Sequence, residues 1–387
     1  MKVDIAIVGG SLVGGSLACA LSGSGLRIAV IEPRAATTLP GSGFDQRVYA
    51  LNPRSRKFLD DHGIWRRVAA QRTAPVHEML VFGDDGASSL EFNAYRNGVP
   101  ELAVIVEESN LQQAVTAALA AAGNALVLNG VGCEEVEWCD SHAGLTLSNG
   151  DRLEAALVVA ADGAESKTRA AAGMQTSVHE YGQQGVVANF AATLAHGNAA
   201  RQWFRDDGVL ALLPLPENQV TMVWAAADAY AQVLLGMSGE ELAALVQLAS
   251  ANAIGELHAT SAARAFPLRR MHAKNLVGPR LALVGDAAHN VHPLAGQGLN
   301  LGFGDAEALA RVLMDRGMES DCGAVSLLRR YERRRKGDVL AMEHVTDGLQ
   351  ALFGSRIPGV SALRNAGLKL TDRLLPLKRF LVKHALG

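Results

Sequence analysis

Hydrophobic and polar positions along this chain fall into three rhythms, and each predicts a different kind of element. Residues 3–10, VDIAIVGG, are an apolar run broken only by Asp4 and closed by two glycines, which reads as a strand buried on both faces. The small-residue stretch SLVGGSLACALSGSG then predicts a helix ended by Gly25, and LRIAVIEP a second buried strand stopped by Pro33. That is a β-α-β unit. NLQQAVTAALAAAG predicts another helix. Strands follow in ALVLNGVGCEEVEWC and AGLTLSNGDRLEAALVVAADG, where Asn149-Gly150 is a strong hairpin signal. The middle of the chain changes rhythm: GVVANFAATLA, RQWFRDDGVLALLPL and NQVTMVWAAA read as strands, with turns at Asp206-Asp207-Gly208 and Pro216-Glu217-Asn218. This predicts a separate sheet inserted between two pieces of the first domain. LALVGDAAHNVHPLAGQGLN, residues 281–300, returns to the α/β pattern, and from about residue 325 the chain reads as helical.

Composition narrows the class without changing that outline. The chain has 387 residues, 49% of them hydrophobic and 19% charged, enough for two or three packed units. A formal net charge of -3 gives no reason to expect a nucleic-acid partner, although the C-terminal end is basic. Cys19, Cys133, Cys139 and Cys322 make no C-x-x-C pair and no zinc-like spacing, which suits buried reduced thiols. The opening apolar run is too short and wrongly flanked for a signal peptide, and no unbroken run reaches the roughly 18–20 residues of a membrane span. A cytoplasmic protein is expected, at most peripheral on a membrane.

Chemistry enters at three turns that follow strands. In GGSLVG, Gly9, Ser11 and Gly14 occupy the places of a G-x-G-x-x-G turn that starts a helix, whose backbone amides would hold a pyrophosphate. Glu32, at the end of the next strand, is placed to accept the hydroxyls of an adenosine ribose. These features suit NAD and FAD equally. LVVAADGAESKTR sets Asp162-Gly163 after another strand, with Ser166 and Arg169 at short offsets, and Gly285-Asp286 forms a third turn far along the chain. An NAD dehydrogenase has no need of that late acidic turn, whereas the ribityl chain of FAD offers hydroxyls for Asp286 to accept. His289 and His292 lie beside Asp286 but lack further ligands, so no metal is expected and both histidines read as structural.

With these stretches in place the chain resembles the aromatic-ring flavin monooxygenases of the para-hydroxybenzoate hydroxylase fold, and among them the ubiquinone-biosynthesis hydroxylases. The resemblance covers essentially the whole chain. DQRVYALNPRSRKFLDDHGIW is similar to that family's D-x-R-x-x-A-L segment, and VIVEESNLQQAV to its V-E-N-x-x-L-Q segment, with Glu108 where Asn is usual. YERRRKGDVLAMEHVTDGLQALF and PLKRFLVKHALG resemble its tail. The implied fold is α/β: a Rossmann-like FAD-binding domain (1–73, 100–175 and 266–350), an inserted mixed β-sheet substrate domain (74–99 and 176–265) and a helical C-terminal segment (351–387).

By the same resemblance Arg47 and Gln112 lie along the flavin, and Pro293, Gly296, Gln297, Gly298, Leu299 and Asn300 belong to a segment lying against the isoalloxazine. The helix beginning near Leu299 would point its amino end, with about half a positive charge, at the ring edge that becomes negative on reduction. The implied reaction is hydroxylation of a phenolic ring, with NAD(P)H as a transient reductant of FAD and O2 as oxygen donor. No acid, base or nucleophile is assigned. A prenyl-tailed phenol is the implied substrate, and association with a membrane or with ubiquinone-pathway enzymes is expected from it and from the basic tail. Trp203, Phe204, Trp224 and LALLPLP are expected near the substrate pocket, mainly as core. Two other readings stay open: a flavin-dependent reductase of an isoprenoid or other lipid, and a non-catalytic assembly subunit, for which Ser11 in a glycine position is the argument. Trp65, Trp138, Trp203 and Trp224 cannot form the W-x-W-x-I-P segment of flavin halogenases.

Overall fold

The computed structural model describes residues 1–35, 39, 43–85, 88–291, 297–317 and 321–354, with 343–354 described by backbone alone. His292, Pro293, Gly296 and the segment 355–387 lie outside them.

Strand Lys2–Val8 is central to an eight-stranded sheet and pairs in parallel with Ile28–Glu32 and Arg152–Ala160. Ala125–Asn129 and Leu281–Leu283 extend this parallel core on either side. Ile5, Ala6, Ile7 and Val30 have no exposed surface, which is why these strands are apolar throughout instead of alternating. Helices Leu12–Ala20, Glu108–Ala120 and Gly298–Met314 share the same core through Leu17, Val115 and Phe303. Arg152–Ala160 serves two partners: its first half pairs antiparallel with Ala143–Leu147 across the Asn149-Gly150 turn, and its second half pairs in parallel with Leu281–Leu283. The first helix stops at Ala20, short of Gly25, because the chain turns through two left-handed glycines, Gly23 (φ +79°) and Gly25 (φ +74°).

The middle rhythm builds a nine-stranded mixed sheet in which Thr176–Ala192, Gln219–Ala227, Gly208–Leu215 and Ala199–Arg205 are antiparallel neighbours. Glu78–Phe82 joins Ala199–Arg205 in parallel and carries Ser89–Asn93 at the edge. Helices Asp228–Gly236 and Gly239–Ala249 pack on one face, the second started by a Ser238–Glu241 capping box. Trp224, fully buried, packs edge-on against Tyr230, while Trp203 stacks on Phe82 with ring centroids 5.3 Å apart. Both tryptophans are therefore core residues. Along Gly208–Leu215, Leu210 and Leu212 enter this core, and Leu213 and Leu215 join a separate apolar cluster with Val76 and Ile105. That cluster connects the inserted sheet to a small sheet of Val48–Leu51, Thr73–Val76 and Ala103–Glu107. Among the described residues no helix is long and apolar enough to cross a membrane.

Candidate functional site

Parallel register aligns Val8 with Ile31 and Ala160, and Ala160 with Leu283. Gly9, Glu32, Asp162 and Asp286 are thus carried at or just beyond one edge of the sheet, its carboxyl end, where open α/β sheets hold ligands. At that edge the first turn is as tight as backbone allows. Gly9 sits at φ +105°, and a Cβ there would lie 2.3 Å from the Ala161 carbonyl oxygen. A Cβ on Gly14 would lie 1.9 Å from the Gly9 carbonyl oxygen. No side chain caps the following helix, so its first amides keep their hydrogen-bonding capacity for a bound anion.

Ser11 has ordinary extended backbone (φ -73°, ψ -159°), so this position does not require glycine. Its hydroxyl donates to Gln112 Oε1 at 3.0 Å, joining the turn to helix Glu108–Ala120. Glu32 is buried: Oε2 accepts the Gly10 amide at 2.8 Å, and Oε1 accepts the Arg34 amide and guanidinium at 3.0 and 3.1 Å.

The second turn is held from within. Asp162 accepts the Ser166 hydroxyl and, at 3.1 Å, the Thr168 amide, while Ser166 caps helix Lys167–Ala171. Arg169 donates to the carbonyls of Ala164 and Ala287, both at 2.9 Å, tying the second turn to the third. In the third turn Gly285 is left-handed (φ +58°), and Asp286 is half-buried with no hydrogen bond to a described protein group. Burial raises its carboxyl pKa, opposed by the charges of His289 and Arg47. An acceptor without a protein donor, at a sheet edge with free helix amides, has the chemistry that a polyhydroxylated, phosphate-bearing ligand needs.

Arg47 reaches Glu108 at 3.5 Å, so the glutamate in a position where Asn is usual serves as the counter-charge of Arg47. The strand after Arg47 is fastened by Asn300, whose side-chain amide donates to the Ala50 carbonyl at 2.9 Å and whose oxygen accepts the Asn52 amide at 3.1 Å. Gln297 precedes helix Gly298–Met314 and accepts from Asn300 at 3.2 Å; Leu299 packs on the main core. Gly302 meets the first helix so closely that a Cβ would lie 2.7 Å from Val13.

Sequence reasoning missed a buried charge network behind this loop. Asp305, without exposed surface, accepts the Gly285 amide at 2.9 Å, His289 Nε2 at 2.7 Å and Arg335 Nε at 2.8 Å. Burial alone would lower the His289 pKa, but the charge and hydrogen bond of Asp305 outweigh it and raise it. Burial likewise pushes Asp305 up, and His289 with Arg335 reverses this, holding its carboxyl below the usual value. Tyr331 donates to the Leu283 carbonyl at 2.7 Å, adding a second tie from the C-terminal helix. A further pair, half-buried Arg72 with buried Glu107, is bidentate with both contacts at 2.6 Å, and Glu107 also accepts the Asp45 amide just before Arg47. For Glu107 the sequence signal was an acid closing an apolar strand; Asp305, in a helix that also carries Glu307 and Arg311, had none.

Comparison with known proteins bears on this arrangement. Residues 2–346 match the family described as FAD binding domain. The chain is 36% identical over 386 residues to the 3-demethoxyubiquinol 3-hydroxylase of Escherichia coli, covering 99% of this chain and 98% of that protein. It is 33% identical over 386 residues to ubiquinone hydroxylase UbiL of Rhodospirillum rubrum, covering 99% and 89%. Among solved structures, p-nitrophenol 4-monooxygenase PnpA from Pseudomonas putida matches with a TM-score of 0.79 at 18% identity, over 100% of this chain and 99% of that one, a likeness of fold.

Proposed function

The chain belongs to the FAD binding domain family, and from that membership we propose that it is an FAD-dependent aromatic hydroxylase using NAD(P)H and O2, with a prenylated phenol of ubiquinone biosynthesis as substrate. The chemistry FAD supplies when bound is acceptance of a hydride from NAD(P)H and transfer of one oxygen atom of O2 to the ring. The observation that carries the reading is the meeting of three chain-distant turns at one sheet edge, with the Asp286 carboxylate left without a donor among the described residues.

The residues fit the cofactor. Gly9 and Gly14 keep the turn narrow, the amides after Ser11 hold the pyrophosphate, and Glu32 takes the adenosine ribose with the acceptor capacity Gly10 and Arg34 leave free. Asp286 accepts from the ribityl hydroxyls, with Asp162, Arg47 and Gln112 bordering the same chain. Gln297, Gly298, Leu299 and Asn300, and by the family resemblance Pro293 and Gly296, would border the ring, and the amino end of helix Gly298–Met314 would stabilise negative charge there. The phenol would lie on the face of the inserted sheet turned away from its two helices, next to half-buried Val209 and Ala211 and beyond the cluster of Leu213 and Leu215, where apolar surface excludes water. The protein meets this lipid-tailed substrate at a membrane surface or beside other enzymes of the pathway.

Ser11 does not argue for an inactive subunit, since its backbone is relaxed and its hydroxyl is used by Gln112. The decisive experiment supplies purified holoprotein with NAD(P)H, a short-tailed prenyl phenol and isotopically heavy O2. One heavy oxygen in the recovered ring is expected. A product with two extra hydrogens and no oxygen would establish the reductase reading instead, and unchanged phenol would defeat both.

A further inference from the structure

Cations are concentrated near the start of the last described helix, Val325–Gly354. Within this helix six Lys and Arg, all between residues 329 and 336, stand against four Asp and Glu, of which only Glu332 falls among them. At 100° per residue, Arg329, Arg330, Arg333, Arg334 and Lys336 fall within about 160° of one helix face. Four of the five are exposed and Arg330 is half-buried. None has a hydrogen bond or ion pair among the described residues. The two acids of this stretch point elsewhere and are occupied: Glu332 accepts the Leu276 amide, and Asp338 pairs with Arg335. On the opposite side Leu328, Tyr331, Arg335 and Val339 are buried against the body, which fixes the cationic face outward.

Five cations on one face repel one another, and among the described residues no ion pair offsets that cost. Beside them, Arg334 borders a recess of about 290 Å³ shared with Arg54, Arg311, Arg335, Glu307 and Asp338. Leu340, 41% exposed, continues the stripe with an apolar side chain. We propose that this helix face is a docking surface for anionic phospholipid headgroups, placing the enzyme on a membrane. Over residues 329–336 the stripe faces outward and carries no acid of its own, which suits a surface of phosphates. The choice of a bilayer over an acidic protein rests on the prenyl-tailed substrate proposed above.

The test is co-sedimentation of the full-length holoprotein with vesicles of phosphatidylcholine alone, and of phosphatidylcholine containing one-third phosphatidylglycerol. The variant replaces Arg329→Gln, Arg330→Gln, Arg333→Gln and Arg334→Gln together. Each cation near an anionic leaflet is worth about fivefold in affinity. Wild type should therefore bind the anionic vesicles and release them in high salt, and the variant should bind at least tenfold more weakly. The variant should keep its FAD content and its turnover of a water-soluble phenol, which separates lost docking from lost folding. Equal binding of wild type and variant overturns the proposal, as does wild type that binds neither vesicle or both equally. A variant that changes only from dimer to monomer would show that the face joins two copies of the chain. Failure of the hydroxylase reading appears in the turnover assay alone, because sedimentation requires no substrate.

Discussion

Asp305 joins the turn of Gly285 and His289 to the later helix at Arg335. Replacing Asp305→Asn leaves the buried Arg335 without a full counter-charge, and the free energy of unfolding should fall by about 3–5 kcal/mol in urea titrations. The same network sets a pH dependence. His289 is raised above its ordinary value of 6.5, so its contribution is complete below that pH and is lost as pH rises through the folded value. Asp305 is held below its ordinary 3.8, so its contribution is present above that pH and is lost as pH falls through the folded value. Wild-type stability should therefore decline on the alkaline side of pH 6.5, and Asp305→Asn should flatten that decline in a thermal-melt series. Asp286 is the complementary case, an acceptor without a donor among the described residues. Asp286→Ala should weaken FAD binding by tenfold or more, consistent with about 1.5–3 kcal/mol for a hydrogen bond to a charged group. Fluorescence titration of the apoprotein measures this, and unchanged affinity would remove Asp286 from the cofactor site.

At the scale of elements, close approach does what side-chain chemistry does elsewhere. The first helix reaches the sheet edge only because Gly14 has no side chain to strike the Gly9 carbonyl. Gly14→Ala should consequently yield protein that is purified without bound flavin and melts at lower temperature. Gly23→Ala, in a turn with open space around it, should retain flavin and show only the cost of a left-handed alanine. The small three-stranded sheet depends on a buried ion pair as well as on apolar contact. Arg72→Ala leaves Glu107 buried and uncompensated and should also cost about 3–5 kcal/mol. Because Glu107 holds the Asp45 amide beside Arg47, this variant should bind FAD more weakly too, whereas a substitution at exposed Arg96 should change neither quantity.

For the whole molecule, convergence of distant segments on one ligand means that the ligand itself is part of the stability. FAD at about a hundred times its dissociation constant should add roughly 2.7 kcal/mol to the free energy of unfolding. Stripping and restoring the flavin should lower and then recover the thermal midpoint, and a midpoint indifferent to FAD would place the cofactor elsewhere. The β-α-β opening, the Asn149-Gly150 hairpin and the inserted sheet were legible in the sequence because periodicity and turn residues are local signals that neighbouring residues are sufficient to express. Gly9, Ser11 and Gly14 were legible for the same reason, as a turn spelled out within six residues. The partners of Asp305, the counter-charge Glu108 gives Arg47 and the clasp of Asn300 on Ala50 and Asn52 had no such signal. Each joins residues from separate segments, so its geometry exists only once sheet order and helix packing are complete. Local pattern thus determined the elements and the ligand-bearing turns, while the buried charges that hold those turns in register were decided by tertiary structure, since desolvated ions take partners by distance in space and not along the chain.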